Sequence, residues 1–422
     1  MHILFNTPTR RYMMRTRLSF QFARLLTLGW LSFSVAASTG CTKESTATPA
    51  TPATPTTPAA PETHLLSSTL IGEYSPAELA SRVSNIPIAG ALVRYPIRVY
   101  RLTYNTLGTN GQPVTASGAL LVPVGAPALP LLSYQHGTIR PDEESRAPSY
   151  YSTSSEVYSA VSVLASTGYV VSAPDYIGYG ASKNLPHPYE HGASLASASL
   201  HMLRAAREFC QQKQVATNSK NFLLGYSEGG YATMALHKLI EEKNDPNLTV
   251  TASAPGAGAY HKTAFADYIL SSTRPLNFLS TYVWVLDTYN RVYGLNRPLT
   301  YYYNQPWASR LQADPFSEVP EQAQGLFTAP FRQAVLNKTD ALLLAAFRDN
   351  DLYDWKPRAP LALFHGTADD YAPYFNSEDA YRAMRARGAT QVELRPIQGG
   401  NHFTSVPQYT LAALAFITQY QQ

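Results

Sequence analysis

The stretch Asn221 to Ala232, NFLLGYSEGGYA, restricts the fold more than any other part of the chain. A short apolar run, Phe222 to Leu224, enters a Gly-Tyr-Ser-Glu-Gly-Gly turn that feeds a helix-forming segment, Tyr231 to Glu242. This is the pattern of a strand that reverses sharply into a helix, with Gly225 and Gly229 flanking Ser227 because side chains there would collide as the backbone turns. The serine hydroxyl is thereby lifted clear of a sheet. A bare G-x-S-x-G is too common to stand alone; the strand before it, a third glycine at Gly230 and the helix after it give it weight.

Around this turn, apolar runs and helical patterns alternate. Ile97–Tyr104 and Ala116–Val124 predict an opening hairpin with its turn at Thr109-Asn110-Gly111. Leu129–Tyr134 reads as a strand buried on both faces and ends in Gln135-His136-Gly137-Thr138. A helix over Ser154–Thr167, a strand over Tyr169–Ala173, a long helix over Glu190–Gln211 and a strand over Leu248–Ala254 follow. From about residue 260 to 355 the rhythm breaks into an aromatic-rich segment with helical periodicity, as in Phe331–Phe347, which reads as an inserted helical cap. Strand and helix patterns resume at Leu361–Phe364, Ser377–Arg387, Val392–Pro396 and Gln408–Tyr420. The order predicts an α/β fold: a mostly parallel sheet with helices on both sides and ligands at the strands' carboxyl ends.

The first sixty residues read differently. Arg10, Arg11, Arg15, Arg17 and Arg24 precede an apolar run, Leu25–Ala37, and the small residues Ser38, Thr39 and Gly40 lead to Cys41. Residues 1–40 therefore predict a bacterial export signal whose apolar run is too short to span a membrane. A cysteine directly after such a site resembles a lipobox, which makes Cys41 a candidate for lipidation and a membrane anchor; ordinary signal-peptidase cleavage and a retained helix are the alternatives. Residues 41–63 are rich in Thr, Ala and Pro and predict an extended linker, leaving 64–422 as the folded domain. Without the five leader arginines, 28 basic residues face 29 acidic ones, so the basic charge of the whole chain gives no reason to expect a nucleic-acid partner. If Cys41 is lipidated, Cys210 has no partner for a disulfide, and its helical apolar setting predicts a buried thiol.

A serine is a weak nucleophile unless a base takes its proton and an acid orients the base. In this type of fold the chain order is serine, acid, histidine. His402, in Gly399-Gly400-Asn401-His402, is the one histidine downstream of both Ser227 and the Asp369 loop. Asp369 follows the Leu361–Phe364 strand at the spacing His-Gly-x-x-Asp and is the preferred acid, with Asp370 second and Glu378 and Asp379 nearby. An oxyanion needs two fixed N–H donors: the Glu228 backbone, and that of Gly137 or Thr138. Asp175 precedes the serine and is expected to be structural. Asp349, Asp351 and Asp354 lack the glycine and distal glutamate of a calcium loop, and no metal or cofactor is expected.

The blocks YQHGT, APDYIGYG, GYSEGGYA, NDLYDWKPRAPLALFHGTADDYAP and GGNHF resemble the α/β-hydrolase fold and, within it, the secretory lipases known from Candida and from bacteria. That family usually has Gln where this chain has Glu228. The resemblance implies that Ser227, Asp369 and His402 are nucleophile, acid and base, and that the cap shapes an acyl-binding tunnel. The expected function is a serine carboxylic-ester hydrolase of the lipase or esterase kind, acting on a small-molecule ester or lipid. A glycan acetyl or feruloyl esterase, a prolyl-type serine peptidase and a non-catalytic surface-binding protein are the alternatives. Nothing in the sequence fixes an oligomeric state.

Overall fold

A computed structural model describes residues 63–84 and 86–421. The leader, Cys41 and nearly all of the linker lie outside the described residues. Nine strands form one sheet: β1 (Leu65–Tyr74), β2 (Ile97–Leu107), β3 (Pro113–Pro123), β4 (Leu129–Gln135), β5 (Val170–Pro174), β6 (Thr217–Tyr226), β7 (Ala252–Gly256), β8 (Leu361–Gly366) and β9 (Val392–Ile397). Their spatial order is β1-β2-β3-β5-β4-β6-β7-β8-β9. The pairs from β1 through β3 to β5 are antiparallel, and those from β5 through β4 to β9 are parallel.

Successive side chains of the central strands go to opposite faces, and both faces are covered. Phe222 and Leu224 join one core with Leu132, Val171, Phe364 and Phe416, while Leu223 joins another with Leu131, Val170, Leu203 and Leu236. This two-sided burial explains why these strands read as unbroken apolar runs rather than alternating ones. The first face is covered by the closing helix Val406–Thr418 and by Ser162–Ser166, the second by Gly192–Gln212 and Glu228–Lys243.

Several expectations shift. Strand β1 is not foreseen: most of its residues are exposed, so no buried face imposes a period. Backbone pairing to β2 holds it, along with Glu208, whose carboxylate accepts the N–H of His64 at 2.9 Å and of Leu65 at 2.8 Å. The strand expected over Leu248–Ala254 begins at Ala252. The helix expected over Ser154–Thr167 opens with a π-helical turn, Val157–Val161. The helical stretch Phe331–Phe347 is two helices, Ala329–Leu336 and Ala341–Asp349, because Lys338 adopts φ +62° between them.

Between β7 and β8 the cap is a set of helices, the longest being Leu279–Val292. It has its own core, in which Tyr289, Tyr302, Phe327, Phe331 and Phe347 are fully or almost fully buried. Most of its aromatic residues thus hold the cap together instead of facing a ligand. Trp284 stacks on Tyr189 of the main body, with ring centroids 4.4 Å apart.

Candidate active site

Adjacent parallel strands β4 and β6 end together, with Gln135 in register with Gly225. The loops that leave them carry Gly137 and Ser227. The chain crosses the sheet in opposite directions around β4, and such a switch point leaves a crevice at the strands' carboxyl ends. Ser227 sits there with φ +60° and ψ −124°, a strained conformation for a residue with a side chain. Close packing enforces it: a Cβ on Gly229 would run into the Gln135 carbonyl, and one on Gly230 into the Gly256 carbonyl.

Asp369 follows β8 and His402 follows β9, and both return to Ser227. His402 Nε2 lies 2.8 Å from Ser227 Oγ, and its Nδ1 lies 2.7 Å from Asp369 Oδ2. A carboxylate only accepts, so Nδ1 carries the proton and Nε2 is left to accept from the serine hydroxyl. Asp369 Oδ1 accepts the backbone N–H groups of Tyr371 and Ala372, each at 2.9 Å. Burial pushes the Asp369 carboxyl up, but hydrogen bonds from His365 and His402 outweigh it and hold it at about 2. The Tyr226 hydroxyl donates to the His402 carbonyl at 2.8 Å and the Tyr371 ring stacks on the imidazole, so the backbone and the ring of His402 are each held.

The competing acids have other partners. Asp370 accepts from Asn277 at the surface, Asp379 faces His261, and Glu378 pairs with Arg382. Buried Asp175 accepts from the Ser117 hydroxyl and the Ser149 N–H, tying three segments together. Asp349, Asp351 and Asp354 face Tyr293, Thr263 and Arg387 respectively.

Glu228 opens the helix after Ser227, so its N–H has no intrahelical acceptor. On the facing loop, the Gly137 N–H points at Glu156 Oε2, 3.4 Å away, whereas the Thr138 N–H has no partner among the described residues. The Glu228 side chain is buried against His187, with Oε1 2.8 Å from Nε2. Sequence reasoning missed His187, Glu156, His365 and the buried Glu190–Lys262 ion pair. Only His365 carried a local signal, four residues before Asp369 at the end of the same strand.

The sheet, the strained serine turn and the cap define an α/β-hydrolase fold. The model of the family described as secretory lipase matches residues 145–288, a stretch that contains Ser227 but neither Asp369 nor His402. Lipase 10 of Candida albicans is 25% identical over 367 residues, spanning 80% of this chain and 76% of that one. A solved structure from Legionella pneumophila superposes with a TM-score of 0.77 at 25% identity, over 85% of this chain and 98% of the other. The rice cell wall degrading esterase LipA from Xanthomonas oryzae gives 0.72 at 27% identity, over 84% and 96%. The chain is thus a relative of the secretory lipases, within the lipase and esterase type of hydrolase.

Proposed function

We propose that the chain is a serine carboxylic-ester hydrolase acting on a small-molecule ester or lipid. The observation that carries the reading is the continuous hydrogen-bonded line from Ser227 through His402 to Asp369. In the proposed reaction Ser227 Oγ attacks the ester carbonyl as His402 Nε2 takes its proton. The imidazolium, steadied by Asp369, then protonates the departing alcohol, and a water molecule repeats the sequence on the acyl-enzyme. The backbone N–H groups of Glu228 and of Thr138 or Gly137 hold the oxyanion; the free Thr138 donor supports it over Gly137. No cofactor enters these steps.

Kinship with secretory lipases supports export, and the sequence around Cys41 supports a lipid anchor at an outward-facing membrane. Among the described residues no helix is long and apolar enough to cross a membrane. A glycan-ester esterase is the second reading, favoured by the likeness to a cell wall degrading esterase. Turnover of p-nitrophenyl butyrate tests the proposal: Ser227→Ala and His402→Ala each lower kcat by about a thousandfold or more. Near-wild-type turnover in either variant contradicts it.

A further inference from the structure

Ser227 and Tyr371 line two cavities of very different size. One runs under the cap, holds about 30 Å³, and is walled by Tyr189, Glu190, Phe265, Phe278, Tyr282 and Val285. The other opens outward, holds about 410 Å³, and is lined by Gly137, Thr138, Glu156, Tyr226, His402 and Phe403. We infer that the two halves of the ester are divided between these cavities: a short acyl group under the cap and a bulky, hydroxyl-bearing alcohol in the outer cleft. The inference rests on the hydrolase reading above.

Proton transfer decides which half goes where. The departing oxygen receives its proton from His402 Nε2, so the alcohol lies on the side that His402 lines, which is the outer cleft alone. The acyl chain is left with the space under the cap. A water-sized atom needs about 10–15 Å³ on this measure, so that space takes roughly two or three carbons beyond the carbonyl, as in propionyl or butyryl.

The walls oppose a longer chain. Phe278, Tyr282 and Val285 are buried in the cap core, so a longer tail displaces packed side chains. Glu190 on the same wall is ion-paired with buried Lys262, and an alkyl tail offers that carboxylate no hydrogen bond. In the outer cleft the carboxylate is that of Glu156. Glu156 accepts from the Tyr134 hydroxyl at 2.7 Å and presents a carboxylate to the alcohol's own hydroxyl groups.

Initial rates on p-nitrophenyl acetate, butyrate, octanoate and palmitate test the division. The wild-type kcat/KM falls about tenfold or more from butyrate to octanoate, and Val285→Ala raises the octanoate-to-acetate ratio by about fivefold. A wild-type optimum at octanoate or longer overturns the inference. Inactivity on all four esters overturns it too, and a missing fluorophosphonate adduct at Ser227 then marks the hydrolase reading as the point of failure. On the alcohol side, Glu156→Gln raises KM for acetylated xylan roughly threefold more than KM for p-nitrophenyl acetate. Equal changes on both substrates remove Glu156 from the assignment.

Discussion

His365 and His402 converge on one carboxylate: Asp369 Oδ2 lies 2.7 Å from His402 Nδ1 and 3.3 Å from His365 Nε2. His365 Nε2 also faces the Ala372 carbonyl at 2.7 Å, an atom that only accepts, so this nitrogen carries a proton and presents it to both oxygens. Asp369 is therefore held as an anion from two directions, and His402 is fixed in the tautomer that leaves Nε2 free to accept.

Asp369→Asn replaces that anion with an amide that can turn its NH₂ towards His402 and stabilise the wrong tautomer. The expected outcome is a fall in kcat of about 10³–10⁴ with little change in KM. Asp370→Asn, at an exposed neighbour that accepts from Asn277, stays within about threefold of wild type. Steady-state kinetics on p-nitrophenyl butyrate separates the two acids.

The same carboxyl makes a pH prediction. Its folded pKa, about 2, lies below its ordinary value of 3.8, so its contribution to stability is present above pH 4 and lost as pH falls towards 2. The shift corresponds to about 2 kcal/mol. Urea unfolding between pH 5 and pH 2 is expected to show this loss in the wild type and a correspondingly shallower slope in Asp369→Asn.

Glu228 makes a finer test. His187 Nδ1 faces the Ile177 carbonyl at 2.7 Å and so carries a proton, while Nε2 faces Glu228 Oε1. A hydrogen bond there requires a second proton, on the imidazole or on the carboxyl. Glutamine satisfies the neutral ring by donating its amide, so Glu228→Gln keeps activity within about threefold. Glu228→Ala strands buried His187 and loses about 1–3 kcal/mol in chemical denaturation.

The two cysteines should behave oppositely. Burial pushes the Cys210 thiol up to about 12, so it resists thiol reagents until the domain unfolds. Cys41→Ser is expected to move the expressed protein from the membrane to the soluble fraction. Equal membrane retention contradicts the lipid-anchor proposal.

The parallel half of the sheet and the turns carrying Ser227 and Asp369 were legible because each turn follows a strand end buried on both faces, whereas β9, before His402, is partly exposed and chain order singled out that histidine. A buried apolar run and a glycine-bounded loop are local signals, and chain order narrows the partners. Strand β1 left no such signal, since backbone pairing and the distant Glu208 hold it and most of its side chains face solvent. The supporting contacts were hidden for another reason: His187 meets Glu228 across 41 residues, and Lys262 meets Glu190 across 72. Nothing local distinguishes a buried histidine or lysine with a distant partner from one at the surface. The tyrosines between β7 and β8 were visible, but whether a ring faces a ligand or its own core depends on how the cap helices pack.

The most direct test is to map the adduct formed with a fluorophosphonate by peptide mass spectrometry. The account predicts one modified residue, Ser227, with labelling abolished in Ser227→Ala and slowed about a hundredfold or more in His402→Ala. An adduct on another serine, or full esterase activity with Ser227 unmodified, contradicts it.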